Sequence, residues 1–389
     1  MDFKLTPEQE AFRAAVRGFA QRNLTAGALK RAHTPSFPWE AAKMLAEQGL
    51  LGITVAEADG GQGGSLMDAV IAIEEVALVC PRSADAVQVG NFGPLRTFAE
   101  YASAEQKQRY LRKLLAGEAV IGLGMSEPEA GSAVTDLKTT ATPDGDGFRI
   151  NGSKVFTTHS PDASLFLVYV RFGKGVDGIG SVLIERGTPG FTLGQETAFM
   201  GGEHWCQLYF EDCRIGPEQV LLPAGGFKRQ IEGFNAERIG NTARSLAVGR
   251  HAFNLACEHA KNRRQFGRAL CEFQGVQWKI AEMAMNIDAA QLLLYRAAVN
   301  AERGLPSAYE TAVAKAMCNK VGFDAANEAV QILGGLGYSS ESLAEYCLRR
   351  TRGWMIAGGS IEMMKNRIAE EVLGRRFSQR PESARSTGK

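Results

Sequence analysis

Apolar residues change their spacing twice along the chain, and the changes divide it into three zones. Over residues 1–120 they recur at helical intervals. In TPEQEAFRAAVRGFA, Thr6 stands as an N-cap, Pro7 takes the first helical position and Gln9 falls three residues after the cap, which predicts a capping box. LMDAVIAIEEVALVC and SAEQKQRYLRKLLAGE read as further amphipathic helices, the second opened by Ser103 and closed by Gly117, while ADGGQGGS at 58–65 is a loop. From 121 to 225 the period shortens: GFRING, KVFTTH, SLFLVYVRF, GIGSVLIE and CQLYFEDCRI are β-branched or aromatic runs, with PDGDG and ERGTPG as turns. From 226 to 375 long helical periods return in four segments, RIGNTARSLAVGRHAFNLACEHAKNR, EFQGVQWKIAEMAMNIDAAQLLLYRAAVNAER, SAYETAVAKAMCNKVGFDAANEAVQILGG and IEMMKNRIAEEVLG, whose short links predict a bundle. A polar tail, 376–389, follows, of a composition that frays. The chain is therefore α+β: helical domain, β domain, helical bundle.

Composition narrows the function classes. With 44 basic and 43 acidic residues the net charge is +1, which gives no electrostatic reason for a nucleic acid partner or a bulk membrane attraction. No run of eighteen apolar residues is present, and the opening MDFKLTPEQEAFR lacks the pattern of a signal peptide, so a bacterial cytoplasm is expected, with an organelle matrix after processing as the other option. Seven cysteines are scattered singly without a CxxC, which suits reduced, mostly buried thiols. Five histidines form no close ligand pair, and a metal site is not expected.

Three stretches carry candidate chemistry. In GLGMSEPEAGSAVTDLKT, Ser126, Gly131 and Ser132 offer hydroxyls and bare backbone amides suited to a polar heterocycle or a phosphate, although a plain turn at Pro128 accounts for the same residues. In INGSKVFTTHS, Phe156 and Thr158 alternate on a strand, an aromatic beside a hydroxyl that suits a flat ring; a core Phe with a cross-strand Thr is the other reading. In KNRRQFGRALCEFQ, Arg263, Arg264 and Phe266 sit where a bundle helix ends at Gly267; arginine there suits a pyrophosphate, and a solvated charge run is the alternative.

The ordered combination MSEPEAGS, NGSKVFTT, RRQFG…FQ and QILGGLGY resembles the acyl-CoA dehydrogenase family over about residues 5–375. The resemblance implies a helical N-terminal domain, a β-barrel-like middle domain and a C-terminal four-helix bundle, with FAD held noncovalently at a dimer interface. It implies that the backbone at Met125 and Ser126 meets the flavin's polar edge, that Phe156 lies against the ring with Thr158 near N5, and that Gly131 and Ser132 serve the pyrophosphate or pantetheine region. It further implies that Arg263, Phe266 and Gln274 of a neighbouring subunit hold the diphosphate and adenosine, joined by Gln331 and Gly335. Gly359, Ser360 and Glu362 are expected near FAD or the thioester, and Phe234, Asn235 and Arg238 along the acyl-CoA site. Many relatives carry Asp at position 235. The implied reaction is α,β-dehydrogenation: a carboxylate takes the α-proton, the β-hydrogen leaves as hydride to flavin N5, and electrons pass on to an electron-transfer flavoprotein. A homo-oligomer, dimer or dimer of dimers, is implied as well.

IAGGSIEMMKNR departs from the family pattern. Many members carry the catalytic Glu where this chain has Gly358, which leaves only a backbone N–H for the thioester oxygen. A subset resembling isovaleryl- and long-chain acyl-CoA dehydrogenases has its base on the first bundle helix, and FNAERIG matches that pattern at Glu237. Glu237 also sits among Phe234, Ala236 and Ile239, where burial raises a carboxyl's pKa; a first-turn helix Glu stabilised by the dipole is the other reading. The GGS segment also resembles crotonobetainyl-CoA reductase, so an enoyl-CoA reductase and a non-catalytic flavoprotein stand as alternatives. Arg82 in PRSADAVQV loosely resembles an arginine of glutaryl-CoA dehydrogenase but reads as a surface residue. Arg350, where many relatives have Asp, implies a local ion pair lost or reversed.

Overall fold

The computed structural model describes residues 4–301 and 305–379; the remainder of the polar tail lies outside the described residues. The N-terminal region holds α1 (Pro7–Leu24), α2 (Ala28–Ala32), α3 (Trp39–Glu47), α4 (Leu66–Val79), α5 (Ala84–Val89), α6 (Gly93–Tyr101) and α7 (Ala104–Leu115). Local capping starts three of them. Thr6 accepts from the Gln9 N–H while Gln9 reaches back to the Thr6 N–H, and Ser103 with Gln106 repeats the exchange at α7. Ser65 with Asp68 does the same at α4, so the glycine-rich loop read from the sequence ends in a helix start. α4 is apolar almost all round, and it is buried along nearly its whole length between α1 and the bundle.

The middle region is one sheet: β1 (Ile121–Gly124), β2 (Thr140–Asp144), β3 (Gly147–Thr158), β4 (Leu165–Arg171), β5 (Ile179–Glu185), β6 (Phe191–Leu193), β7 (Thr197–Ala198), β8 (His204–Ile215) and β9 (Val220–Leu222). The strand order is β6-β8-β3-β2-β4-β5-β9, with β1 parallel on β4 and β7 antiparallel on β8. β4, LFLVYVR, and β5, IGSVLIE, are mostly apolar and buried at all but their last residue, the signature of strands covered on both faces. GFRING and KVFTTH form a single strand, β3. Between the pairs Lys154↔Leu208 and Thr157↔Cys206 it has one more residue than β8, a β-bulge.

The bundle comprises α8 (Phe227–Asn262), α9 (Gln274–Val299), α10 (Ala308–Leu333), α11 (Gly335–Tyr338), α12 (Leu343–Trp354) and α13 (Ile361–Val372), with a hairpin of β10 (Arg264–Gln265) and β11 (Arg268–Ala269) between the first two. α8 and α10 cross where Gly249 meets Gly322; a Cβ on Gly249 would lie 2.6 Å from the Gly322 Cα, so only glycines permit this approach. Among the described residues no helix is long and apolar enough to cross a membrane. All seven cysteines are free, and five are buried.

α8 begins at Phe227, so Glu237 lies nearly three turns inside it. The alternative of a first-turn glutamate is thereby removed: the dipole acts within the first turn and does not explain this position. Arg82, read as a surface residue, is 2% exposed. Its Nη1 donates to Asp85 Oδ2 at 2.7 Å and its Nη2 to the carbonyls of Pro35 and Ser36. Arg350, read as having lost or reversed an ion pair, is buried too; it donates to Asp85 Oδ2 at 2.8 Å and pairs with Glu203.

Candidate active site

The bulge in β3 turns Phe156 outward. Its φ is 57°, a left-handed conformation uncommon outside glycine, and its ring is 61% exposed beside Trp205, at 4.8 Å between centroids, and Phe199. Thr157 is buried and Thr158 exposed, so Phe156 and Thr158 do share a face. Beneath them lies a buried ion pair with no counterpart in the sequence reading. Lys154 Nζ donates to Glu127 Oε1 at 2.7 Å and to the Met125 carbonyl at 3.3 Å. Glu127 also accepts from the N–H groups of Lys138, at 2.6 Å, and Thr139, at 3.0 Å. Burial alone would raise Glu127, but Lys154 and these donors outweigh it and hold its pKa below the usual value. The Ser126 carbonyl accepts from the Val155 N–H at 2.9 Å, which ties the Met125–Ser126 backbone to the strand that carries Phe156. An exposed aromatic patch beside a pinned loop fits a flat heterocycle. Gly131 and Ser132 are exposed on the same loop, where a Cβ on Gly131 would meet nothing within 4 Å.

A second group forms around Glu237. Gln88 Nε2, from α5, donates to its Oε1 at 3.0 Å and its Oε2 at 2.8 Å. Gly93, φ 65°, opens α6 so close that a Cβ there would stand 3.1 Å from Oε2. Burial pushes the Glu237 carboxyl up to about 7, against the tempering charges of Arg244, Lys315 and Arg238. Arg238 Nε donates to the Gly358 carbonyl at 3.0 Å and its Nη1 to Asn235 Oδ1 at 2.9 Å, with the guanidinium 5.5 Å from the Phe234 ring centre. α8 and the loop before α13 are thus joined at Gly358 itself, by the residue next to Glu237.

That loop takes left-handed conformations at Gly358, φ 71°, and Gly359, φ 90°. Ser360 caps α13, accepting from the Met363 N–H at 3.4 Å; Glu362 is exposed, and backbone and Ser360 hydrogen bonds lower its pKa. Behind the loop Lys315 of α10, fully buried, donates from Nζ to the carbonyls of Ala357 at 2.9 Å and Trp354 at 3.1 Å and to Asn241 Oδ1 at 3.1 Å. Neither Gln88 nor Lys315 stood out in the sequence, since their partners are far along the chain.

The remaining candidates stand apart. Arg263 follows α8, Phe266 is 94% exposed at the tip of the hairpin with φ 53°, and Gln274 opens α9, exposed. Gln331 and Gly335 are exposed where α10 passes into α11. No hydrogen bond or ring contact among the described residues joins these five to Phe156 or Glu237.

The chain matches the N-terminal, middle and C-terminal domains of acyl-CoA dehydrogenase at residues 6–118, 122–213 and 224–373. It is 34% identical to the short-chain specific acyl-CoA dehydrogenase of Clostridium acetobutylicum, over 96% of this chain and 100% of the relative. It is 34% identical to an NADH-dependent acryloyl-CoA reductase of Anaerotignum propionicum, over 96% and 97%. The butyryl-CoA dehydrogenase structure from Megasphaera elsdenii superimposes with a TM-score of 0.89 at 31% identity, covering 96% of this chain and 100% of that one. The chain belongs to the acyl-CoA dehydrogenase family of FAD-dependent oxidoreductases.

Proposed function

We propose that this protein dehydrogenates an acyl-CoA thioester between Cα and Cβ, with Glu237 as the base. The observation that carries the reading is a half-buried carboxyl, pushed up to about 7 by desolvation, whose hydrogen bonds among the described residues come from a neutral amide, beside a glycine loop that holds no carboxylate of its own. A carboxyl so placed is a stronger base than one in water, and it is half ionised near neutral pH. Glu237 takes the α-proton onto an Oε atom. The Gly358 N–H receives the thioester oxygen as enolate charge develops, and Arg238, on the Gly358 carbonyl, steadies that segment. When bound, FAD supplies the two-electron acceptor for the β-hydrogen. Phe156, Thr158 and the backbone at Met125 and Ser126 would hold its ring, with Gly131, Ser132 and Ser360 near its polar parts. Phe234, Asn235, Arg238 and Gly359 line the thioester's approach, and Glu362 stands at the rim. Arg263, Phe266, Gln274, Gln331 and Gly335 would hold the dinucleotide portion from a second copy of the chain. An electron-transfer flavoprotein would be the onward electron acceptor.

Glu237→Gln should retain FAD yet lose flavin bleaching on anaerobic addition of acyl-CoAs by about a thousandfold or more, in proportion to a lost catalytic base. Bleaching at the native rate would place the base elsewhere. Reduction is the second reading, favoured by the similarity to an acryloyl-CoA reductase. A Glu237 carboxyl near 7 also returns a proton to Cα. Rapid reoxidation of the reduced protein by enoyl-CoAs, with slow bleaching by saturated ones, selects it.

A further inference from the structure

We infer that Lys315 is a positioning residue that aims and polarises the Gly358 N–H as the donor to the thioester oxygen. The inference rests on the reading of the Gly358 loop as the thioester site. Lys315 Nζ lies 2.9 Å from the Ala357 carbonyl oxygen, the carbonyl of the very peptide whose N–H belongs to Gly358. In a planar trans peptide the C=O and N–H point to opposite sides. Fixing the Ala357 oxygen toward α10 therefore fixes the Gly358 N–H away from it. Among the described residues that N–H donates to no acceptor, so its hydrogen bond is still to be made.

The loop cannot easily rotate out of this pose. The Trp354 carbonyl accepts both Lys315 Nζ at 3.1 Å and Asn319 Nδ2 at 2.6 Å, and the Gly358 carbonyl accepts Arg238 Nε at 3.0 Å. A second effect is electrostatic. Burial lowers the Lys315 pKa to about 7, so the ammonium prevails below neutrality, where it draws charge along the amide and strengthens the N–H as a donor. When the C2–H bond breaks, the proton goes to the base and the electron pair settles on the thioester oxygen. A donor fixed and polarised beforehand stabilises that charge without reorganising.

The test uses acetoacetyl-CoA, whose C2 proton is acidic enough to titrate without the catalytic base. The holoenzyme should bind it as the enolate, with its ultraviolet-detected pKa well below the value in water. Lys315→Met should cut the bound enolate fraction about tenfold or more at a fixed pH below that pKa, while affinity for a saturated acyl-CoA changes less than about threefold. In turnover, kcat should fall about tenfold or more with KM nearly constant, the split expected of an interaction made in the transition state. Lys315→Gln, which keeps a donor but not the charge, should fall between the two, and it replaces the Met variant if that one fails to take up FAD. Equal enolate fractions in wild type and both variants overturn the role of Lys315. A wild-type protein that leaves the pKa of acetoacetyl-CoA at its solution value overturns the thioester-site reading itself, and the two failures are distinct.

Discussion

Three cations surround Glu237, and each is engaged with another partner. Arg238 donates to the Gly358 carbonyl and Asn235, Arg244 to Asp85 Oδ1 at 2.9 Å, and Lys315 to two carbonyls and Asn241. A guanidinium in direct contact would hold the carboxylate charged and weakly basic. The contact is instead the Gln88 amide, which orients both oxygens and favours the charged form only modestly. Burial is the leading cause of the raised pKa of about 7, so the proposed base is protonated below neutrality and ionised above it. Gln88→Met removes a hydrogen bond to the charged form, which raises the pKa further. The acid limb of the pH profile for flavin bleaching should therefore move to higher pH by about one unit, so that the loss of rate is larger at pH 6 than at pH 9. A limb that stays in place would mean that Gln88 only fills space.

At the scale of elements, what was legible in the sequence was local. Thr6 with Gln9 and Ser103 with Gln106 sit within one turn of each other, and their pattern named the helix starts. The alternation of Phe156 and Thr158 placed them on one face, although the bulge that turns Phe156 outward depends on the register against β8 and left no local mark. Glu237 was found by pattern, but its partner Gln88 is 149 residues away. The Asp85 centre was hidden for the same reason, and Arg82 and Arg350 looked unattached until the fold brought them to one carboxylate. Asp85, just inside α5, takes Arg82, Arg244 of α8 and Arg350 of α12, and Arg350 extends the chain of charges to Glu203 before β8. The cluster thereby links all three regions. Burial would raise the Asp85 pKa, but the three arginines outweigh it and hold it below the ordinary 3.8. The sign follows: this stabilisation is complete above the unfolded value near 4 and is lost as pH falls through the folded one. Asp85→Asn leaves three buried guanidinium groups short of counter-charge and should cost ~3–5 kcal/mol, read as a lower unfolding midpoint in denaturant at pH 7. The gap to wild type should narrow as pH falls below about 4. A variant as stable as wild type at pH 7 would show that the cluster is solvated rather than structural.

At the scale of the whole molecule, α9 shows an apolar face that none of the described residues covers. Trp278, Met285, Leu292 and Val299 are all exposed and recur every seven residues, Met285 to 70%. An α-helix drifts only about 20° per seven residues, so the four form one apolar stripe along the helix. Such a stripe suits a subunit contact. It begins beside the hairpin, where Phe266 packs edge-on to Phe273 and Gln274 opens the helix, so the proposed dinucleotide residues adjoin the proposed subunit contact. Assembly and cofactor retention should then fail together. Met285→Lys combined with Leu292→Lys puts two charges in mid-stripe without touching Phe266 or Gln274. The double variant should sediment as a smaller species, fold with the helical content of wild type, and retain less FAD per chain after gel filtration. A monomer that keeps its full FAD would separate the two functions and confine the dinucleotide site to one chain, whereas an unchanged oligomer would move the subunit contact off α9.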